Sequence, residues 1–298
     1  MNDKGNETPL GDSLAEKRSL VVEALRYIQR FSGTCAVIKY GGAAMIDSAL
    51  KASFAQDLVL LQSAGLRPII VHGGGPEISR TLDRMGQTSE FFEGQRITGE
   101  EDVRIVEMVL TGRVNTEIVG RLNVLGAMAI GLSGKDARLL RAKKIEPLPG
   151  KRDLGFVGEI ESVNTDFLQL LLDKNILPVI SPVGLGPDGN GLNINADMAA
   201  AAIATAIGAR KLIFLTDVAG ILDENGKLIS SLTRDELQAM VGGAIKGGMH
   251  VKAQAVMQAL DGGVKAVHVV DGRTAHSVVV ELFTDAGVGT VIRRGDSS

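Results

Sequence analysis

The sequence predicts an α/β protein, a three-layer αβα sandwich around a mainly parallel central sheet. Three observations predict it. Short apolar runs recur along the chain, among them "CAVIKY", "RPIIVH", "NILPVIS", "KLIFLTD" and "KAVHVVD". Strands without polar alternation belong to sheets covered on both faces. Stretches of helical spacing separate these runs, as crossovers between parallel strands require. Glycine clusters follow the first two runs, as "YGG" and "HGGG".

Residues 1–12 are polar and are expected to be disordered. "SLAEKRSLVVEALRYIQRF" (13–31) has Leu14, Val21, Leu25 and Ile28 at helical spacing, with Ser13 as cap and Glu16 three residues on. This appended helix either packs back on its own domain or docks on another subunit. "CAVIKY" is the first strand, and "SALKASFAQDLVLLQSAG" a helix closed by Gly65. "RPIIVH" is a strand, and "GGGPEISRTLDRMG" a glycine turn entering a helix with Pro76 in its first turn. "FFEGQRITG" (91–99) reads as an antiparallel addition, and "GEEDVRIVEMVLTGRVNTEIVGRLNVLG" as one long helix. "AMAIGLS" is a strand; "RLLRAKKIEP" and "FVGEIESV" are a second antiparallel addition. "NILPVIS", the alanine-rich helix after "NINAD", "KLIFLTD", the helix in "KGGMHVKAQAV" and "KAVHVVD" complete the alternation. The expected division is 1–31, a tail and oligomerisation helix; 32–209, an N-terminal lobe; and 210–298, a C-terminal lobe.

Composition narrows the chemistry. A net charge of −3 offers no general attraction to nucleic acid or anionic membrane. Aromatics at 3%, with no tryptophan, argue against stacking platforms for bases or sugars. The single cysteine, Cys35, cannot form an intrachain disulfide and reads as a structural thiol in a reduced, cytoplasmic protein. No apolar run is long enough to span a bilayer.

Ligands of open α/β sheets bind beyond the carboxyl ends of the strands. There the first strand ends in Lys39 before Gly41 and Gly42, and the second in His72 before Gly73, Gly74 and Gly75. One explanation is a snorkelling lysine and a tight turn. The other is a loop whose amides meet an anion, since glycine admits close approach and a helix N-terminus supplies free N–H groups. Three successive glycines favour the anion cradle. The GxxxxGK[ST] fingerprint is absent, because "GLSGKD" ends in Asp136. A literal GxGxxG at Gly184, Gly186 and Gly189 lies in a hairpin tip beside Pro187 and is accidental. In "NINAD", Asn193 and Asn195 face the same way and Asp197 opens a helix. Asn195 or Asp197 caps that helix, or all three line a polar site. Lys252 lies one turn inside a glycine-opened helix; the histidines show no spacing for a metal site or catalytic dyad.

Together "IKYGG", "VHGGGPEIS", "RITG", "NINAD", "LTDVAGIL" and "GGMHVK" resemble the amino acid kinase superfamily, over residues 35 to 293. The resemblance implies the amino acid kinase fold and transfer of the γ-phosphoryl group of ATP to a small anionic acceptor, here an N-acylated glutamate. It implies an acceptor-binding N-terminal lobe and a nucleotide-binding C-terminal lobe. Lys39 and Lys252 would flank the moving phosphoryl, with Asp197 holding both ammonium groups. Gly41, Gly42 and Gly73 would face phosphate; Gly74, Gly75, Arg96 and Asn193 would bind the acceptor, Arg96 at its α-carboxylate. Thr216, Asp217 and Gly220 would lie on the nucleotide side. Magnesium would arrive with ATP, with no protein metal site. A carboxylate acceptor, ionised at a pKa of roughly 4.3, needs no general base. The family commonly has Asp where this chain has Gly99.

The extra helix and the tail "VVVELFTDAGVGTVI" (278–292) resemble an arginine-inhibited branch in arginine biosynthesis. That likeness implies a hexamer built as a trimer of dimers, with Tyr27, Glu281 and Gly287 near the effector. Regulatory partners of such a ring, a PII-type signalling protein among them, leave no mark in the sequence. Free glutamate, aspartate or carbamate as acceptor, and a non-catalytic arginine sensor on the same scaffold, are the alternatives. The retained Lys39, Asp197 and Lys252 speak against the sensor.

Overall fold

A computed structural model describes residues 10–147, 152–243, 245, 248–284 and 287–295. Helix α1 (Leu10–Phe31) leads into β1 (Cys35–Tyr40), α2 (Ser48–Ser63), β2 (Arg67–His72) and α3 (Gly75–Arg84). The hairpin β3 (Phe91–Phe92) and β4 (Gln95–Arg96) precedes α4 (Glu100–Glu107), a π-helical segment (Met108–Val114) and α5 (Asn115–Val124). Next come β5 (Ala129–Ser133), β6 (Leu140–Lys144), β7 (Gly158–Val163), α6 (Thr165–Asp173) and β8 (Leu177–Ser181). The hairpin β9 (Val183–Leu185) and β10 (Gly191–Asn193) leads to α7 (Ala196–Ala206) and β11 (Lys211–Thr216). The chain closes with β12 (Ser231–Thr233), α8 (Arg234–Met240), α9 (Gly248–Asp261), β13 (Ala266–Asp271), α10 (Ser277–Phe283) and β14 (Thr290–Arg293).

Eight strands form one sheet in the order β12-β14-β13-β11-β1-β2-β8-β5, parallel except for the β13–β14 pair. Alternate strand residues face opposite layers. Val37, Ile69 and Phe214 join one buried cluster with α7 and α9, while Ile38, Ile70 and Leu215 join another with α2, α4 and α5. This is the expected three-layer sandwich. The β3–β4 ribbon and the β6–β7 pair are the antiparallel additions; β6–β7 joins the β9–β10 hairpin in a four-stranded sheet, β10-β9-β6-β7, whose β6–β9 pair is parallel.

Two local expectations change. The first helix begins at Leu10, so Ser13 lies inside it rather than capping it, and residues 10–12 are helical. The rest of the stretch expected to be disordered, 1–9, lies outside the described residues. The helix read across 99–126 is not uniform either. Its middle widens into the π segment, which realigns side chains on either side of one extra residue.

Small side chains bring the site together. Ala199, Ala200, Ala201 and Ala204 on α7, and Ala253, Ala255 and Ala259 on α9, are all buried. The two helices pack on each other. A Cβ on Gly262 would lie 2.3 Å from the Thr205 methyl, so that end of the contact admits only glycine. This packing carries Lys252 on α9 to the first turn of α7.

Candidate active site

Asn195 caps α7, its side-chain oxygen accepting from the N–H groups of Asp197 (2.9 Å) and Met198 (3.2 Å). Asp197 is therefore free of the capping task and turns to two ammonium groups. Lys252 Nζ donates to its Oδ2 at 2.8 Å, and Lys39 Nζ stands 3.0 Å from its Oδ1. Lys39 comes from the end of β1 and Lys252 from α9. Burial by itself would raise the Asp197 pKa. Lys39 and then Lys252 outweigh burial and hold it down to about 2. Burial pushes the Lys252 pKa down, partly offset by Asp197. Phe214 lies beneath that ammonium, 4.8 Å from its ring centroid. Two cations share this one anion, and Asp217, on the loop side, is the next carboxylate to act on Lys252.

The glycine loops crowd this charge. A Cβ on Gly41 would lie 2.6 Å from Lys39 Nζ. Gly42 has φ +68°, and a Cβ there would lie 2.1 Å from Asp217 Oδ1. The same oxygen accepts from Ala43 N–H, so Asp217 ties the end of β11 to the loop after β1. Thr216 is turned inward, donating from Oγ1 to the Val218 carbonyl at 2.8 Å. Gly220, at φ +155°, is pressed against Thr290, whose Oγ1 would be 2.6 Å from a Cβ.

Lys39 lines a cavity of about 380 Å³ together with Gly41, Gly42, Gly73, Gly74, Gly75, Arg96, Asn193 and Asn195. Asp197 and Lys252 lie behind that wall, reached through Lys39, and Thr216, Asp217 and Gly220 lie off the cavity. Arg96 is buried in a fork of acceptors. It donates to Gly75 O (3.0 Å), Ser79 Oγ (2.9 Å) and Ser89 Oγ, and lies over the Phe91 ring. Asn193 donates to Thr98 Oγ1 at 3.0 Å. Gly99 caps α4 without a side chain, its N–H donating to Asp102 Oδ2 at 2.9 Å. Glu77 on the cavity wall pairs with both Arg80 and Arg113, and Glu117 with Lys51 and Arg121. Composition and motif reading missed these wall pairs.

The three residues expected near an effector lie off this cavity. Tyr27 stacks on Phe31 along α1. Glu281 is buried and accepts from His268 Nδ1 (2.6 Å), Val288 N–H (2.8 Å) and Gly289 N–H (3.1 Å). Gly287, at φ +55°, stands where a Cβ would approach Glu281 Oε2 to 3.1 Å. Cys35 is half-buried, and burial pushes its thiol up to about 12. Among the described residues no group of three or more His, Cys, Asp or Glu is arranged to hold a metal ion. No described helix is long and apolar enough to cross a membrane.

The family model for the amino acid kinase family matches residues 34–271. The chain belongs to the amino acid kinase family. It is 50% identical over 289 residues to the acetylglutamate kinase of Geobacter metallireducens, covering 94% of this chain and 99% of that one. It is 48% identical to the acetylglutamate kinase of Aquifex aeolicus, over 94% of this chain and 99% of that one. N-acetylglutamate synthase from Neisseria gonorrhoeae, solved with coenzyme A and N-acetyl-glutamate, superposes with a TM-score of 0.83 at 26% identity. That match covers 93% of this chain, which spans 63% of the synthase's length. Carbamate kinase from Giardia lamblia shares the fold, with a TM-score of 0.64 at 14% identity over 89% of this chain and 99% of that one.

Proposed function

We propose that this chain transfers the γ-phosphoryl group of ATP to the side-chain carboxylate of N-acetyl-L-glutamate, giving an acyl phosphate and ADP. The observation that carries the reading is the convergence of Lys39 and Lys252, from different elements, on Asp197 at the edge of a glycine-lined cavity. The near full-length likeness to acetylglutamate kinases supports the acceptor. A carboxylate oxygen attacks the γ-phosphorus as the bond to the bridging oxygen of ADP breaks. No proton has to move, so no base is required. What must be overcome is the repulsion between two anions. Fixed ammonium groups and backbone N–H donors suit that task, because they neutralise charge in place without reorganising.

In this reading Lys39 and Lys252 are the catalytic cations and Asp197 fixes their separation. Gly41, Gly42 and Gly73 receive phosphate, while Gly74, Gly75, Arg96 and Asn193 hold the acceptor. Arg96, forked and stacked, presents a planar donor set to an α-carboxylate. Thr216, Asp217 and Gly220 belong to the nucleotide side, with residues 32–209 as acceptor lobe and 210–298 as nucleotide lobe. Magnesium would be carried in with ATP and would supply charge neutralisation on its phosphates. The described residues offer it no dedicated cage, and Asp197 is committed to two lysines. The enzyme works in the cytoplasm as a hexamer inhibited by arginine. The exposed apolar stripe of α1, with Leu14, Val21, Val22 and Leu25, favours that assembly.

Hydroxylamine trapping tests the chemistry, since acyl phosphates form hydroxamates. ATP-dependent hydroxamate is expected with N-acetyl-L-glutamate and not with glutamate, aspartate or carbamate. A preference for any of the other three overturns the acceptor assignment.

A further inference from the structure

Three buried polar side chains behind the triple glycine form a closed network that the reaction scheme above does not use. His72 ends β2, Asn115 opens α5 at the edge of the π segment, and Ser181 ends β8. All three are buried. His72 Nδ1 lies 2.7 Å from the Gly73 carbonyl oxygen. A carbonyl can only accept, so Nδ1 carries the proton. Asn115 Nδ2 lies 2.9 Å from the Val179 carbonyl, which fixes which end of that amide is nitrogen. The same nitrogen reaches His72 Nε2 at 3.1 Å. Ser181 Oγ also lies 3.3 Å from Nε2 and 3.2 Å from Asn115 Nδ2, and a hydroxyl can donate as well as accept, so a neutral ring with Nδ1 as donor and Nε2 as acceptor satisfies every contact. Burial also drives its pKa down to about 4. The Asn115 side chain fits because its neighbour on β5 is Gly131, where a Cβ would lie 1.9 Å from Asn115 Oδ1.

The consequence lies one peptide further on. No peptide bond in the described chain is cis, and in a trans peptide the C=O and the following N–H point in opposite directions. The Gly73 N–H is held by the Tyr40 carbonyl at 2.7 Å, and the Gly73 carbonyl is turned to the His72 ring. The Gly74 N–H is thereby turned away from the ring, on the side where Gly73, Gly74 and Gly75 line the cavity. We infer that His72 is a positioning residue: its Nδ1–H fixes the Gly73–Gly74 peptide plane so that the Gly74 N–H meets the acceptor, and Asn115 enforces the required tautomer. The inference deepens the proposed function and rests on its assignment of Gly74 to the acceptor.

Two measurements test it. On the wild-type chain, nitrogen-15 NMR, with the His72 signals assigned by their loss in His72→Asn, should show that imidazole protonated at Nδ1 and not titrating near neutral pH, as distinct from His268, whose Nδ1 faces Glu281. A ring protonated at Nε2 overturns the inference whatever the substrate proves to be. Second, His72→Asn keeps an amide donor near the Nδ1 position, whereas His72→Gln moves it toward Nε2. With N-acetyl-L-glutamate, His72→Gln should lower kcat by about tenfold or more, within the range for a misplaced transition-state donor. It should leave the KM for ATP within about twofold, and His72→Asn should recover most of the loss. Equal loss in both variants, tracking their melting temperatures, would make the network purely structural. An inactive wild-type chain with the Nδ1–H tautomer intact would sink the proposed function, not the placement of the ring.

Discussion

At the residue scale the chemistry turns on one carboxylate shared by two ammonium groups. Lys39→Ala and Lys252→Ala are each expected to cut kcat by on the order of 100-fold, the loss typical of one preorganised charge-stabilising group. The acceptor KM should move far less, because these cations act on the transferring group. Steady-state kinetics across both substrates measures the split, and near-normal kcat in both variants would remove the mechanism. Asp197→Asn probes stability instead. Removing the shared anion leaves two ammonium groups pressed together in a buried site, at a cost of about 3 kcal/mol or more in denaturant unfolding. Its pH dependence has a definite sign. The folded pKa of Asp197, about 2, lies below its ordinary value of 3.8, so its stabilisation is complete above the ordinary value. It is lost as pH falls toward the folded value, and the wild-type acid limb between those two values should flatten in Asp197→Asn. An unchanged acid limb would mean that the lysines do not depress this carboxyl. Arg96→Ala should mainly raise the acceptor KM, since its fork binds rather than reacts; a pure kcat defect would show it misassigned.

At the element scale, the strands and most helices were legible because their signals are local: unbroken apolar runs, glycine stops, and Pro76 at a helix start. Lys39, Asp197 and Lys252 stood out as motif residues, and the alanine-rich α7 is what brings two of them together. The π segment was not legible, since "EMVLTGRVN" has ordinary helical apolar spacing and nothing in composition marks one extra residue per turn. Nor was His72. Its partners come from residues 115 and 181, distant in the chain, and sequence spacing carries no trace of such a network. The π segment has a testable part in the site. A Cβ on Gly74 would lie 2.5 Å from Leu110 Cδ2, and Leu110 is buried in that segment. Gly74→Ala should therefore destabilise the chain by about 1–3 kcal/mol, as overpacking does. Adding Leu110→Ala should relieve part of that cost, so the two changes are non-additive. Strict additivity in thermal unfolding would show that the two groups do not collide.

At the scale of the whole molecule, α1 divides into an anchored end and one that carries an exposed apolar stripe. Tyr27, Ile28 and Phe31 pack on the core, with Lys211 Nζ 4.5 Å from the Phe31 ring centroid. Farther out, Leu14, Val21, Val22 and Leu25 are all about half exposed or more. An apolar stripe left exposed on a helix is ordinarily covered by another surface. In a closed ring that surface is the same helix of a neighbouring copy, because two-fold contacts are self-complementary. Removing residues 1–26 deletes the stripe and keeps the anchor. Sedimentation equilibrium should then show a hexamer for the full chain and a dimer for the truncated one. Hydroxamate formation should persist in the dimer, because every group assigned to the reaction lies beyond residue 35. Arginine inhibition should weaken with the ring if the helix couples the two. A full chain that sediments as the same small oligomer as its truncated form would end the case for a ring, and would leave the chemistry of the site untouched.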